Sequence, residues 1–453
     1  MRRPRYAGIA LLALLVGLGV LVAAPAHAQM PQLFEDFGVA PRDAAMGNTG
    51  TAAANDYAAA FYNPAALVRA KGLGLHVGYK LVDPQLHMKI GDYNDRRFTQ
   101  YPTTNYLVFG ISWNVIAEPL IDPKWTERVT FGMALALSDY YKSFAIPYDQ
   151  NSPYFYRYHD RSLNLLSAYL SVAVRITDWL SVGGGLVPAP SETWSRADVD
   201  AHIYVPKYKY SATQGTVTRS WGRVEPLAGL LLHMPRDSGG GDVFSFGVVW
   251  RDEVVTIDGN GSATARMKVH FNGMTLYAPP AVTPMKALTG WTPMQVVAGF
   301  SLSPVPELTI SAEELWKRWS HWRNFFGVHP DPEFHDTWNT RVGAEYVFRP
   351  EWWALQTIAP RGGVYRELSP VPNENGPGNY LDPNKWVFTA GFDSGWFLPS
   401  LDVFRVPVHF EIAGQLHLMD HVRLNNNNDP NYPPLSAWGN VYSLTATLGV
   451  GEH

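Results

Sequence analysis

Aromatic and basic residues that could bind an apolar molecule with an acidic head are concentrated in one stretch of the chain: Trp194, Tyr204, Lys207, Tyr208 and Lys209. Aromatic rings supply apolar contact area, and lysine ammonium groups attract a carboxylate. A second apolar surface is predicted around Leu276, where flexible, polarizable methionines and a tyrosine accompany leucines. The alternative interpretation is that both stretches only pack loops and place aromatics at a membrane interface.

Residue patterns for catalysis or metal binding do not occur in the sequence. It has no Ser-His-Asp order with a nucleophile elbow, no phosphate-binding loop and no paired carboxylates in a defined setting. The densest group of metal-type ligands fits no helical ligand spacing and is predicted to be a solvated loop: His321, His329, Asp331, Glu333, His335 and Asp336. We therefore expect no enzyme activity and no nucleotide, metal or redox cofactor.

The first residues predict export. Arg2, Arg3 and Arg5 precede an apolar run from Ala7 to Ala24, and Ala26-His27-Ala28 follows as a small-x-small cleavage site. Residues 1–28 are predicted to be a cleaved signal peptide, with an uncleaved anchor helix as the alternative. The chain contains no cysteine, so its stability cannot come from disulfides.

The composition favours a membrane protein built from strands. The net charge of −4 argues against a nucleic-acid partner. Charged residues make up 17% of the chain and aromatic residues 13%, whereas soluble domains average about 25% charged. No second long apolar run follows the signal, which excludes a helical membrane protein. A transmembrane β-barrel fits, because its apolar outer face alternates with a polar lumen.

Period-two alternation in segments of about ten residues supports the barrel. In the segment from Val408 to Leu418, large apolar residues alternate with His409, Glu411, Ala413, Gln415 and His417. The polar set would face the lumen and the apolar set the lipid. Similar or weaker strand candidates lie at 72–82, 103–115, 129–141, 166–176, 180–187, 219–232, 244–251, 295–303, 308–316, 342–348, 361–366, 385–392 and 441–450.

The predicted fold is all-β, a transmembrane antiparallel β-barrel of about 14 strands, allowing for one or two missed within Val254–Met274. Short turns alternate with long stretches, which would be extracellular. The long stretches are Pro188–Thr218, Asp252–Pro293, Lys317–Asp336 and Asp420–Gly439.

Residues 29–70, between the signal and the first strand, are rich in Gly, Ala and Thr and cannot build a core alone. They are predicted to fill a confined space inside the barrel of residues 71–453. Asn63 can cap a short helix that begins at Pro64 and includes Ala65. Asp56 and Arg42 could tether the segment to lumen charges, although such charges often only neutralise one another. The candidate partners are Arg175, Arg251, Arg341 and Glu345.

Several motifs, taken in their order along the chain, resemble those of the FadL/TodX family of outer-membrane transport proteins for hydrophobic compounds. Its N-terminal hatch, or plug, is similar to Gly38–Ala65, with Asn63-Pro64-Ala65. Further similarities cover the mature chain: Tyr169–Gly185, Phe246–Arg251, Leu308–Trp322, Phe334–Tyr346, Arg361–Tyr365, Ser369–Pro372 and Leu381-Asp382.

The resemblance implies a fourteen-stranded barrel in a Gram-negative outer membrane, closed by the hatch. Long-chain fatty acids or aromatic hydrocarbons would be captured at extracellular loops and passed inward, with lateral release through a kink in the third strand. Outer-membrane lipid and lipopolysaccharide would surround a monomer. The alternative function is a barrel that acts as scaffold or shuttle for secreted proteins.

Two features depart from the family pattern. Ser138-Asp139-Tyr140-Tyr141 stands where a kink glycine is expected, and the chain ends in Gly451-Glu452-His453 rather than in an aromatic residue.

Overall fold

The computed structural model describes most of the chain after the signal segment. The described residues are 33–90, 96–97, 103–114, 128–138, 155–156, 167–188, 199–205, 208–217, 224–236, 241–271, 274–277, 281–323, 329, 332–350, 352, 354–372, 380–397, 407–424 and 435–452. The predicted signal peptide, Trp194 and Lys207 lie outside them. No helix in these ranges is long and apolar enough to cross a membrane.

Within the described residues, fourteen antiparallel strands form a closed barrel. Each strand pairs with the next along the chain, and the last strand pairs with the first from Leu75↔Val450 to Ile90↔Leu435. The strands are β1 Lys71–Ile90, β2 Thr104–Asn114, β3 Val129–Ser138, β4 Ser167–Arg175, β5 Leu180–Pro188, β6 Val224–Pro235, β7 Asp242–Arg251, β8 Gln295–Val305, β9 Leu308–Lys317, β10 Thr337–Tyr346, β11 Leu355–Glu367, β12 Lys385–Trp396, β13 Val408–Leu424 and β14 Leu435–Glu452. Every predicted strand overlaps one of them, which confirms the fold class.

The predicted alternation is present on the wall. In β10, buried Thr337, Asn339, Arg341, Gly343 and Glu345 alternate with exposed residues such as Trp338, Val342 and Tyr346. In β13 the polar set from His409 to His417 is buried, as predicted. A charged or hydroxyl group on the inner face can find partners there, whereas the outer face leaves large apolar side chains exposed.

The structure corrects the predicted connections. Val254–Met274 contributes no barrel strand: Val254–Phe271 pairs instead within a second sheet. That sheet contains Val199–Val205, Tyr208–Val217, Val254–Phe271, Met274–Tyr277 and Ala281–Thr292. The predicted loop Asp420–Gly439 is shorter than expected, because β13 and β14 pair as far as Leu424↔Leu435.

The N-terminal segment, residues 33–70, is enclosed by the barrel wall. It forms α1 Leu33–Phe37, α2 Pro41–Ala45, α3 Ala59–Tyr62 and a 3-10 helix Pro64–Arg69. Its helices are one or two turns long, too short to be stable alone. Nearly every residue is buried, and inward side chains from strands on all sides of the barrel contact it.

Candidate functional site: the N-terminal segment and the lumen wall

Inward-facing glycines bring the wall into direct contact with the N-terminal segment. At each position a Cβ atom would lie less than 3.0 Å from an atom of the segment. A glycine within a strand often marks such a close approach of another backbone. We call these residues the glycine belt: Gly110, Gly132, Gly183, Gly229, Gly247, Gly343, Gly363 and Gly391.

A buried chain of charges ties the segment to three strands. Arg42 donates to both carboxylate oxygens of Glu345, at 3.1 and 2.8 Å. Arg361 donates to the same Glu345 at 2.6 Å and to Glu411 at 2.8 Å. Arg42 also donates to the carbonyl oxygen of Ala53 at 2.8 Å. Bidentate arginine–carboxylate bonds in a buried site are strong and geometrically specific. They therefore fix the position of α2 on the wall.

The other predicted lumen charges also contact the segment, but through its backbone. Arg175 donates to the carbonyl oxygen of Val68 at 2.6 Å, and Arg251 to that of Phe61 at 2.7 Å. Arg341 donates to that of Asn48 at 3.3 Å and pairs with Glu313 at 3.4 Å. These arginines satisfy carbonyl groups that short, irregular structure leaves unpaired.

Two lysines that were not predicted from the sequence as site residues also hold the segment. Lys80 of β1 donates to the carbonyl oxygen of Phe37 at 2.7 Å and to that of Gly38. Lys317 of β9 forms an ion pair with Glu35 in α1. Both side chains are fully buried. Their alternation with outward apolar residues was a signal that could have identified them as lumen residues.

Asn63-Pro64-Ala65 forms the predicted helix start. The Asn63 side-chain oxygen accepts a hydrogen bond from the Ala65 amide at 3.0 Å, and Pro64 occupies the first helical position. The helix is a 3-10 helix that ends at Arg69. The Asn63 amide nitrogen donates to carbonyl oxygens of Thr51 at 2.8 Å and of Leu230 on β6 at 3.1 Å. One side chain thus joins the cap, the segment and the wall.

Asn63→Ala is expected to lower the free energy of unfolding by about 2 kcal/mol, because it removes a cap and the side-chain hydrogen bonds to the carbonyl oxygens of Thr51 and Leu230. The midpoint of urea unfolding measures the change. Asn55→Ala provides the control, since the Asn55 side-chain oxygen has no hydrogen-bond partner among the described residues. Equal midpoints for the two variants would contradict the assigned role.

Aromatic side chains from the segment and the wall form a cluster on the long-loop side. Phe34, Phe61 and Tyr169 contact one another, with ring centroids 4.9 to 5.9 Å apart. Val187 and Met419 belong to the same buried cluster. The N-terminal segment and the wall thus share a buried apolar core on this side of the lumen.

Asp56 does not form the predicted tether in the described part of the chain. Its carboxylate accepts a hydrogen bond from the Ala58 amide at 2.8 Å, within the segment. Burial and the neighbouring Glu411 raise the pKa of Asp56 to about 6. Burial and the nearby Asp56 also raise the pKa of Asp43 well above its ordinary value. The segment thus contains two carboxyl groups whose ionised forms are disfavoured.

The N-terminal segment is therefore expected to be held less tightly as pH rises. The folded state favours the protonated form of Asp56. The contribution of this protonation to the free energy of unfolding is complete below pH 3.8 and is lost as pH rises through about 6. Urea midpoints across this range measure it. Asp56→Asn keeps an acceptor for Ala58 and cannot titrate, so its midpoint should depend less on pH. Identical pH dependence in both proteins would rule out Asp56 as the source.

The remaining predicted binding residues lie in the second sheet. Tyr204 pairs with Lys209, and Tyr208 with Val205. Lys209 pairs with His270, and Leu276 with Val269. The two stretches selected separately from the sequence are thus joined by the strand Val254–Phe271. Their role in binding stays a prediction.

The described part of the third strand is continuously paired. Val129–Ser138 pairs with β2 and with β4 without a register shift. The residues after Ser138, where the family resemblance predicts a kink, lie outside the described ranges. Lateral release through this strand stays a prediction.

A cavity of about 960 Å³ lies at the end of the barrel that carries the short turns. We call it the short-turn chamber. The N-terminal segment closes its inner side with Ala53, Asn55 and residues 68–70. Residues at the ends of strands and in short turns line its outer side: Asp178, Arg236, Gly241, Ser303 and Pro306. Its basic lining residues are Arg42, Arg69, Lys71, Arg175, Arg236 and Arg349. Its acidic lining residues are Asp178, Asp242 and Glu345.

These features define a class of protein: a closed fourteen-stranded barrel whose lumen is occupied by the chain's own N-terminal segment. No family model matches the sequence, and no curated protein matches it.

Solved structures share this fold at low sequence identity. A FadL homologue of Pseudomonas aeruginosa aligns at 13% identity with a TM-score of 0.54, covering 91% of this chain and 97% of that one. The toluene transporter TodX of P. putida aligns at 12% identity with a TM-score of 0.55, covering 91% and 98%. The toluene transporter TbuX of Ralstonia pickettii aligns at 13% identity with a TM-score of 0.51, covering 93% and 100%. The fold implied by the FadL/TodX resemblance is thereby confirmed.

Proposed function

We propose that the protein is an outer-membrane channel for passive uptake of hydrophobic molecules, either long-chain fatty acids or aromatic hydrocarbons. The observation that carries this proposal is the aromatic cluster of Phe34, Phe61 and Tyr169, which belongs to an apolar core that the N-terminal segment forms with the lumen wall. A water-filled pore offers an apolar solute little gain, whereas apolar contacts along the path keep its surface out of water.

The outer face supports a membrane location. Trp386 and Trp396 lie at opposite ends of β12 and are 41% and 38% exposed. They are ten residues apart, or about 33 Å along a strand, which a tilt of about 40° reduces to about 25 Å. This matches the apolar band of an outer-membrane barrel, and interfacial tryptophans commonly flank such bands. The short turns would then face the periplasm.

In this proposal residues 1–28 direct export, residues 29–70 act as a plug and residues 71–453 form a monomeric barrel in lipid and lipopolysaccharide. The long loops, including Trp194, Tyr204, Lys207, Tyr208, Lys209 and Leu276, would capture the ligand. The plug would then pass it inward past Asn63-Pro64-Ala65, with release into the membrane. The buried ion pairs and hydrogen bonds around the plug support this division, because they hold residues 33–70 against the lumen wall.

Uptake by a Gram-negative host that lacks its own hydrophobic channel tests the function. Expression is expected to accelerate uptake of oleate or toluene without increasing entry of a small hydrophilic solute. Tyr169→Ser should reduce the hydrophobic uptake, whereas Tyr442→Ser on the exposed outer face should not. Unchanged oleate and toluene uptake on expression would refute the channel.

Deletion of residues 29–70 is expected to open the lumen to water. Entry of the hydrophilic solute should rise, because the segment fills the space between the strands. If the deletion leaves both hydrophilic entry and hydrophobic uptake unchanged, the segment is not a plug. A stable protein partner that covers the loops, without ligand uptake, would instead favour the scaffold or shuttle.

A further inference from the structure

The short-turn chamber has an excess of positive charge. Arg42 is neutralised by Glu345 at 2.8 Å and Arg69 by Asp242 at 2.6 Å. Arg349 pairs with Glu307 at 3.3 Å. Among the described lining residues, Lys71, Arg175 and Arg236 are then the remaining positively charged groups, and Asp178 is the remaining negatively charged one.

Among the described residues, the hydrogen bonds of two of these basic groups go to neutral carbonyl oxygens. Arg175 donates to the Val68 carbonyl oxygen at 2.6 Å, and Arg236 to the Ser303 carbonyl oxygen at 2.5 Å. A carbonyl oxygen satisfies an N–H group but carries no full negative charge. Walls of one sign around a confined space concentrate ions of the opposite sign. The chamber is therefore suited to an anion.

We propose that the short-turn chamber binds the carboxylate of an amphipathic molecule that has passed the plug. This inference rests on the proposed function and assigns fatty acids, rather than neutral aromatic hydrocarbons, as the substrate class. Guanidinium groups match carboxylates in geometry and charge. Val68, Pro235 and Val347 supply apolar lining for the chain next to the head. The volume lies within the roughly 300 to 1,000 Å³ of small-molecule sites.

Paired uptake measurements with laurate and 1-dodecanol test the charge selectivity, because the two ligands share one chain length. The double variant Lys71→Gln/Arg236→Gln is expected to lower laurate uptake about fivefold and to leave dodecanol uptake unchanged. Asp178→Asn removes the opposing charge and should raise laurate uptake. Because Asp178 is exposed in a turn, this variant should fold even if the double variant does not. Arg366→Gln, which removes a cation paired with Asp420 outside the chamber, is the control.

The outcomes separate this inference from the proposed function. If laurate, dodecanol and toluene all fail to enter through the unmodified protein, the channel itself is wrong. If toluene alone enters, the channel stands and the assignment to fatty acids is wrong. If both enter but the chamber variants change laurate and dodecanol uptake equally, or not at all, the carboxylate site is wrong while the channel stands. Inhibition of laurate uptake by inorganic phosphate as strong as that by octanoate would overturn the assignment to an acyl carboxylate.

Discussion

Glu345→Gln is expected to loosen the N-terminal segment and to lower the free energy of unfolding by about 3 to 5 kcal/mol. Glu345 accepts hydrogen bonds from Arg42 and from Arg361, so its loss leaves Arg361 with Glu411 at 2.8 Å and Arg42 with only the more distant Asp43 at 3.9 Å. An uncompensated buried charge costs far more free energy than a broken surface pair. The amide keeps the shape of the carboxylate, so the effect isolates charge.

Urea unfolding and hydrophilic-solute entry into proteoliposomes measure the two consequences. Glu307→Gln is the matched control, because Glu307 pairs with Arg349 where both side chains are substantially exposed. Exposed pairs contribute about 0 to 1 kcal/mol. If Glu345→Gln behaves like Glu307→Gln in both assays, the chain of charges does not hold the segment.

The barrel could be predicted from the sequence because each strand obeys a local rule. In β13 the alternation from Val408 to Leu418 predicts a polar face toward the lumen and an apolar face toward the outside. The structure buries the polar face and leaves the apolar face more exposed, as predicted. Strand ends were less accurate: β1 extends to Ile90 and β14 begins at Leu435, beyond the predicted bounds. Alternation weakens near strand ends, where both faces meet polar groups, so pattern alone does not define them.

The site was only partly predictable, because its partners come together through the tertiary fold. Arg42 and Glu345 were both selected, and they form a pair across 303 residues. Asp56 was selected for the same reason, yet it bonds to Ala58. Composition cannot decide which lumen charge faces which residue of the N-terminal segment. The second sheet was missed because Tyr208–Val217 and Val254–Phe271 pair over a long separation and show little alternation.

The glycines in the family-like motifs have a physical explanation that the motifs did not provide. Gly247, Gly343 and Gly363 occur in three of the stretches that resemble FadL/TodX proteins. In the structure each faces the backbone of the N-terminal segment, at Thr51, Met46 and Gly47 respectively. A side chain at these positions would occupy the same space as that backbone. The positions of the glycine belt in the barrel strands therefore determine where the N-terminal segment runs, although that segment is far away in sequence.

Gly363→Ala is accordingly expected to displace the N-terminal segment, whereas Gly362→Ala is not. A Cβ at Gly363 would lie 2.3 Å from the backbone nitrogen of Gly47, while one at Gly362 would have its nearest neighbour at 3.8 Å. Overpacking of this kind costs about 1 to 3 kcal/mol. Because the contact is with backbone, no rotamer change can relieve it.

The two alanine variants differ by one position on the same strand. Any change in strand propensity or expression level caused by the substitution therefore affects both variants alike. Gly363→Ala should lower the urea midpoint and increase hydrophilic-solute entry, and Gly362→Ala should leave both near their original values. The pair Gly183→Ala and Gly184→Ala repeats the test at Pro64, where the corresponding nearest distances are 2.4 and 3.7 Å. Agreement between the two pairs would show that the barrel wall positions the N-terminal segment both at Gly47 and at Pro64. Failure at Gly183 alone would confine the tight contact to the region of Met46 and Gly47, and would leave the turn at Pro64 free to move.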